Sequence, residues 1–165
     1  FLFLRIYGAS LTRVPFISVS ARTLNAIIAK LELGQESVLY DLGCGDARVL
    51  VHALRMHPTI RAVGIEIAPL PRFFATIRSL RIPANSRLEI RNQDFFKVDL
   101  RDATHIFLYL FPEVMAQLEP KLIRELAPGT RIVSCDFAFP NRTPDIEIQL
   151  SGNHSLGRRL LVYTF

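Results

Sequence analysis

The chain has 165 residues, 50% of them hydrophobic and 21% charged, with a mean hydropathy of +0.26. That length supports one core and one domain, and the composition excludes a disordered tail, a collagen-like repeat and a disulfide scaffold. The net charge of +5 comes mostly from arginines scattered along the chain. Only Arg158 and Arg159 are adjacent, and no aromatic-interleaved basic stripe marks a nucleic-acid binder. Cys44 and Cys135 are too few for a zinc cluster, and His52, His57, His105 and His154 lack ligand-like spacing. No metal site is expected.

The chain opens on Phe1 rather than methionine, which reads as a piece of a longer protein. Phe1-Leu2-Phe3-Leu4 stops at Arg5, far short of the ~20 residues of a membrane span. It reads either as the tail of an upstream anchor or as a helix end packed on the domain. A secretory signal is not expected, since no charged segment precedes an apolar run. Leu24, Ile27, Ile28 and Leu31 have helical spacing, with Gly34 as the stop. Val38-Leu39-Tyr40 is a strand that breaks into the glycine turn Asp41-Leu42-Gly43-Cys44-Gly45-Asp46. A helix whose apolar face takes Val49, Leu50, Ala53 and Leu54, with Met56 a further candidate, ends at Pro58, and Ala62 to Ile65 is a second strand closed by Glu66. Residues 69–80 predict a helix, and Leu88-Glu89-Ile90 and Ile106 to Leu110 predict strands. Pro112 opens a helix whose apolar face takes Val114, Leu118, Leu122, Ile123 and Leu126. The strand Ile132 to Cys135 follows, then two more, Ile146 to Leu150 and Leu160 to Tyr163, joined by a turn around Gly152 and Gly157.

Strands alternating with helices predict an α/β fold: a Rossmann-like, doubly wound, mostly parallel sheet with an antiparallel C-terminal hairpin at its edge. Residues 1–34 read as an N-terminal segment and pre-core helix, and residues 35–165 as the ligand-binding domain.

Ligands of such sheets sit at the carboxyl ends of the strands. A dinucleotide loop needs Gly-x-Gly-x-x-Gly, but Arg48 takes the sixth position and Asp46 lies where a pyrophosphate belongs. No P-loop Gly-Lys-Ser/Thr follows either. The glycines permit close approach of a ligand, while Asp41 and Asp46 favour a cationic one. Glu66 ends the second strand, where a carboxylate can accept both hydroxyls of a ribose. A ribose, a positive amino-acid group and no phosphate together describe S-adenosylmethionine.

Val38-Leu39-Tyr40-Asp41-Leu42-Gly43-Cys44-Gly45-Asp46 resembles the first motif of class I S-adenosylmethionine-dependent methyltransferases. Four later stretches extend the resemblance: Asp94 to Leu100, Phe111 to Met115, Leu118 to Leu122 and Phe137 to Pro140. Together they are similar to the ATP-synthase c-subunit lysine methyltransferases and related archaeal and bacterial protein lysine methyltransferases. The resemblance implies that Asp41, Gly43 and Gly45 line the methionine and ribose, with Cys44 and Ile67 beside them. It implies that Glu66 binds the ribose, and that Asp94 and Phe95 meet the adenine. Tyr109 would stand where methyl acceptors enter. Two departures are visible: Ala47 replaces a usual glycine, and Ile17 to Ser20 lacks the usual proline-threonine-proline lid.

For a lysine acceptor, Tyr109, Phe111, Phe137 and Phe139 are the expected aromatic walls, and Asp136 a group that steers the cation or holds a proton-taking water. Tyr109-Leu110-Phe111-Pro112 is not the Asn/Asp-Pro-Pro-aromatic turn of amino-base methylases, so nucleic acid is not the expected partner. The expected partner is a protein carrying a target lysine, a membrane protein among the candidates. The expected place is the cytoplasm or the inner face of a membrane, reached through the N-terminus. Alternatives are a small-molecule or RNA methyltransferase on the same scaffold, and a non-catalytic cofactor-binding module.

Overall fold

The computed structural model describes residues 20–83, 87–150 and 157–165. The segments before Ser20 and around Gly152 and His154, including the apolar start and the expected lid, lie outside them. Helix α1 (Ala21–Leu31) begins at Ser20, whose hydroxyl accepts the Thr23 N–H at 3.2 Å. It ends earlier than Gly34: Glu32 takes the left-handed cap position at φ 53°. The core strands β1 (Val38–Leu42), β2 (Arg61–Ile65), β4 (His105–Leu108) and β5 (Arg131–Cys135) are buried beyond their first residue. That burial matches sequences that, beyond the first residue, are apolar but for Asp41 and Ser134. Strand β3 (Arg87–Arg91) is partly exposed throughout. Helices α2 (Arg48–Met56), α3 (Pro69–Ser79) and α4 (Pro112–Glu125) supply the crossovers, the last two opening on proline.

The seven strands run in the order β3-β2-β1-β4-β5-β7-β6. All neighbours are parallel except β5–β7 and β6–β7. The terminal hairpin of β6 (Ile146–Gln149) and β7 (Arg159–Thr164) is thus antiparallel as expected, with β7 inserted and β6 forming the outer edge.

Period-two alternation divides the core into two layers. Leu39, Ala62, Phe107, Val133, Leu160 and Val162 face α1, α2 and Ala75 of α3. Tyr40, Val63, Ile106, Ile132, Leu161 and Tyr163 face Met115, Leu118 and Leu122 of α4. α1 belongs to the first layer outright, with Ile27 and Leu31 fully buried. Two expected core residues do not enter: Met56, the last residue of α2, is exposed, and Ile123 points to solvent because Met115, Leu118 and Leu122 already fill the inner face of α4. Strand order reverses between β1 and β4, so a crevice opens at their carboxyl ends.

Candidate active site

Five connections converge at the carboxyl edge of the sheet: the glycine turn after β1, Glu66 after β2, Asp94 after β3, Tyr109 after β4 and Asp136 after β5. The glycine turn is clamped to β2, whose Ile65 carbonyl accepts the Gly43 and Cys44 N–H groups at 2.9 and 3.1 Å. Gly43 sits at φ +81°, and a Cβ there would lie 3.2 Å from Leu110 Cδ2. Cys44 turns its thiol inward over Gly64, where any added Cβ would come within 2.7 Å of the sulfur. Burial and the nearby Asp41 push that thiol well up, which suits a packing group.

Glu66 is a brace. Its carboxylate accepts the Gly45 N–H at 2.9 Å and the Ala68 N–H at 2.8 Å, tying the glycine turn to the start of α3. Burial raises its pKa, against the opposing pull of those N–H groups. Asp41 is 3% exposed. Burial and the neighbouring charges of Glu66 and Asp46 push it well above the ordinary carboxylate range.

Asp46 departs from expectation. Sequence order puts it with Asp41 as a receiver of a cationic ligand, but in the fold it is already occupied. Arg48 Nη2 and Arg78 Nη2 donate to Asp46 Oδ2 at 2.6 and 2.5 Å, and Arg78 Nε donates to the Asp46 carbonyl. Although burial works against its charge, Arg48 and Arg78 hold it below the usual range. Ala47 follows at φ 57°, ψ 23°. The position does require the left-handed region, and alanine bears a strain there of roughly 1–2 kcal/mol.

Beyond β3, Asp94 Oδ1 accepts the Phe96 N–H at 3.0 Å, which fixes a turn and leaves the ring of Phe95 half-buried. Ile67 is 49% exposed at the mouth of the β2 connection.

The other half of the edge is aromatic. β4 ends at Leu108, so Tyr109 and Phe111 belong to the connection rather than the strand. Phe137 lies 6.2 Å from Tyr109 and 5.5 Å from Phe111, centroid to centroid, making a three-ring cluster. Phe139 does not join it. It is 3% exposed and packs edge-on against Tyr163 and Phe165, so the expectation of a wall residue gives way to a core residue. Its backbone N–H reaches the Tyr163 hydroxyl, which anchors it there.

Tyr109 donates its hydroxyl to Asp136 Oδ2 at 2.7 Å. Asp136, at φ 64°, also accepts the N–H groups of Gly157, Arg158 and Arg159 at 2.6, 2.7 and 3.2 Å. Two donors on each oxygen use the four acceptor positions of a carboxylate. Burial and Asp136 push the Tyr109 phenol far up, so it stays protonated. The sequence reading missed both the backbone donors at the start of β7 and Arg78. The first has no side-chain signal at all. The second, an arginine in the last turn of α3, looks like any helix-end cation.

The profile of the ANTKMT methyltransferase domain matches residues 41–146, from the buried aspartate of the glycine turn to the start of β6. The chain belongs to this methyltransferase family. The protein-lysine N-methyltransferase of Saccharolobus islandicus is 31% identical over 87% of this chain and 91% of its own length. The human ATP synthase c-subunit lysine N-methyltransferase is 30% identical over 80% of this chain, and the mouse adenine nucleotide translocase lysine N-methyltransferase 32% over the same share. The chain spans 55% and 57% of those two relatives, respectively. Among solved structures, an RNA methyltransferase from Salinibacter ruber in complex with S-adenosyl-L-homocysteine is 33% identical, with TM-score 0.77 over 90% of this chain and 93% of its own.

The family and these neighbours make the chain an S-adenosylmethionine-dependent methyltransferase domain. The crevice fits that cofactor. Asp41 and Glu66 are buried carboxylates whose charge is raised in energy by desolvation, and the first is repelled by the second. A ligand carrying a sulfonium and an ammonium relieves that; a pyrophosphate would aggravate it.

Proposed function

We propose that this domain transfers the methyl group to the ε-amino nitrogen of a protein lysine. The observation that carries the reading is the Tyr109, Phe111 and Phe137 cluster, at the same sheet edge as the acidic glycine turn. The lysine methyltransferases among its relatives support it. Residues 35–165 are the cofactor domain in this reading. Asp41, Gly43, Cys44 and Gly45 line the methionine and ribose with Ile67 beside them, Glu66 takes the ribose hydroxyls, and Asp94 and Phe95 meet the adenine.

When bound, S-adenosylmethionine supplies a methyl carbon on a sulfonium sulfur, open to in-line displacement by a nitrogen lone pair. The chain's residues prepare that nitrogen. The rings of Tyr109, Phe111 and Phe137 attract the lysine ammonium by cation–π contact, and where they exclude water from it burial lowers its pKa, so that it gives its proton to solvent before the transfer. Tyr109 donates its hydroxyl hydrogen to Asp136, so its oxygen lone pairs are left to accept from the lysine nitrogen and aim it. With its phenol pKa far above neutrality, Tyr109 acts as an acceptor rather than a base. Asp136, saturated by four donors, is the positioning residue behind Tyr109; its proposed role as a steering charge or water holder narrows to that.

The target in this reading is a protein, membrane proteins included, met in the cytoplasm or at the inner face of a membrane. No helix among the described residues is long and apolar enough to cross a membrane. A second reading, RNA as acceptor, is favoured by the Salinibacter ruber relative. Methyl-tritiated S-adenosylmethionine added to cell fractions tests both. Label in discrete protein bands, absent with Asp41→Asn, is the expected result; label in RNA, with protein unlabelled, overturns the lysine reading.

A further inference from the structure

Helix α3 has two apolar faces. The inner one, Pro71 and Ala75, is buried against the sheet. The outer one places Leu70, Phe73, Phe74 and Ile77 at i, i+3, i+4 and i+7, and these are 41%, 58%, 41% and 41% exposed. Leu80, one turn on, is 80% exposed. A packed helix needs a single apolar stripe, and scattered single hydrophobes are what a surface ordinarily shows. Five large apolar side chains along one outer face are a surface with a use.

The charge beside them is one-sided. Residues 67–88 contain four arginines and no acid, so this stretch supplies most of the net charge of +5. Arg78 is committed to Asp46. Arg81 and Arg87 are exposed, and Arg72 is half-buried on the helix. Arginines that look scattered in the linear sequence therefore concentrate where the acids are missing. A second copy would set this basic face against itself, and like charges oppose that pairing. A neutral apolar partner leaves the arginines without a purpose. An apolar stripe of phenylalanine, leucine and isoleucine flanked by cations matches the boundary of a bilayer that carries anionic lipid.

We propose that the outer face of α3 docks on an anionic membrane surface. Leu70, Phe73, Phe74, Ile77 and Leu80 enter the headgroup boundary, and Arg81 and Arg87 meet the lipid anions. The proposal stands on this face alone and not on which acceptor is methylated. Flotation of the full chain with vesicles tests it without any methyl transfer. One set is phosphatidylcholine with about one-third phosphatidylserine, the other phosphatidylcholine alone. The expected result is binding to the anionic set, about tenfold weaker to the neutral set, and falling with salt. Phe73→Ser with Ile77→Ser, and separately Arg81→Gln with Arg87→Gln, should each weaken it about tenfold. All four side chains are exposed, and the arginine pair tests the surface even where the apolar pair disturbs the helix. No binding, equal binding to both vesicle sets, or binding unchanged in both variants overturns the proposal. So does a dimer in solution that Phe73→Ser with Ile77→Ser abolishes, since a second copy would then cover the face.

Discussion

Asp41 and Asp136 are both acids at the carboxyl end of a core strand, and the protein treats them oppositely. Asp41 is buried, with the charges of Glu66 and Asp46 nearby and its ionisation made costly. Asp136 is ringed by the Tyr109 hydroxyl and three backbone N–H groups. The first is a site left electrostatically uncompensated until a cation arrives. The second is complete, and its effect is to fix the position of a phenol. In the proposed mechanism, binding a charged cofactor and aiming a neutral nucleophile call for these two different environments, and β1 and β5 hold one each with β4 between them.

The comparison breaks most visibly at Asp41. Asp41→Asn should weaken S-adenosylmethionine binding about a hundredfold by calorimetry, the loss of a charge-assisted contact. It should also raise the stability of the cofactor-free protein by about 1 kcal/mol, since a repelled buried charge is gone. The pH dependence has the matching sign. Asp41's folded pKa is raised, so its contribution to stability is present below the ordinary carboxylate pKa and fades as pH rises through the elevated range. Cofactor affinity should move the other way, growing as Asp41 ionises over that same range, and in Asp41→Asn only the smaller dependence that Glu66 contributes should remain.

Asp136→Asn should leave cofactor affinity unchanged and lower kcat about thirtyfold, because the amide sets a donor against a donor and releases Tyr109. Tyr109→Phe should lower kcat about tenfold with the same unchanged cofactor affinity. A Tyr109→Phe variant that loses cofactor while keeping kcat would erase the distinction between the two ends. The smallest effect concerns the frame rather than either acid. Ala47→Gly should stabilise the domain by about 0.5–1 kcal/mol in urea unfolding, the strain released less the unfolded-chain entropy added.

The doubly wound sheet was legible because β1, β2, β4 and β5 are largely apolar runs that punctuation by glycine, proline and acids delimits cleanly. The glycine turn was legible for the same reason, but that Ala47 sits at φ 57° was not, since a departure from glycine does not say which backbone conformation the position takes. Asp46 was misplaced because the sequence registers a carboxylate and not the arginine 32 residues away that claims it. Phe139 was misplaced because alternation past the end of β5 does not say that its ring will meet Tyr163 and Phe165. The insertion of β7 between β5 and β6 also escaped the linear reading: hairpin partners are predictable from proximity, but which of them faces the sheet is decided by burial, and β7 is the more apolar of the two.

Gly64 and Cys44 occupy one volume between them. A Cβ at position 64 would meet the Cys44 sulfur, Leu50 Cδ1 and Ile90 Cδ1 all within 2.9 Å. Shrinking residue 44 would therefore not by itself open position 64 to a side chain, since Leu50 and Ile90 close the same space: in a design library, position 64 is a fixed glycine unless all three neighbours are redrawn with it.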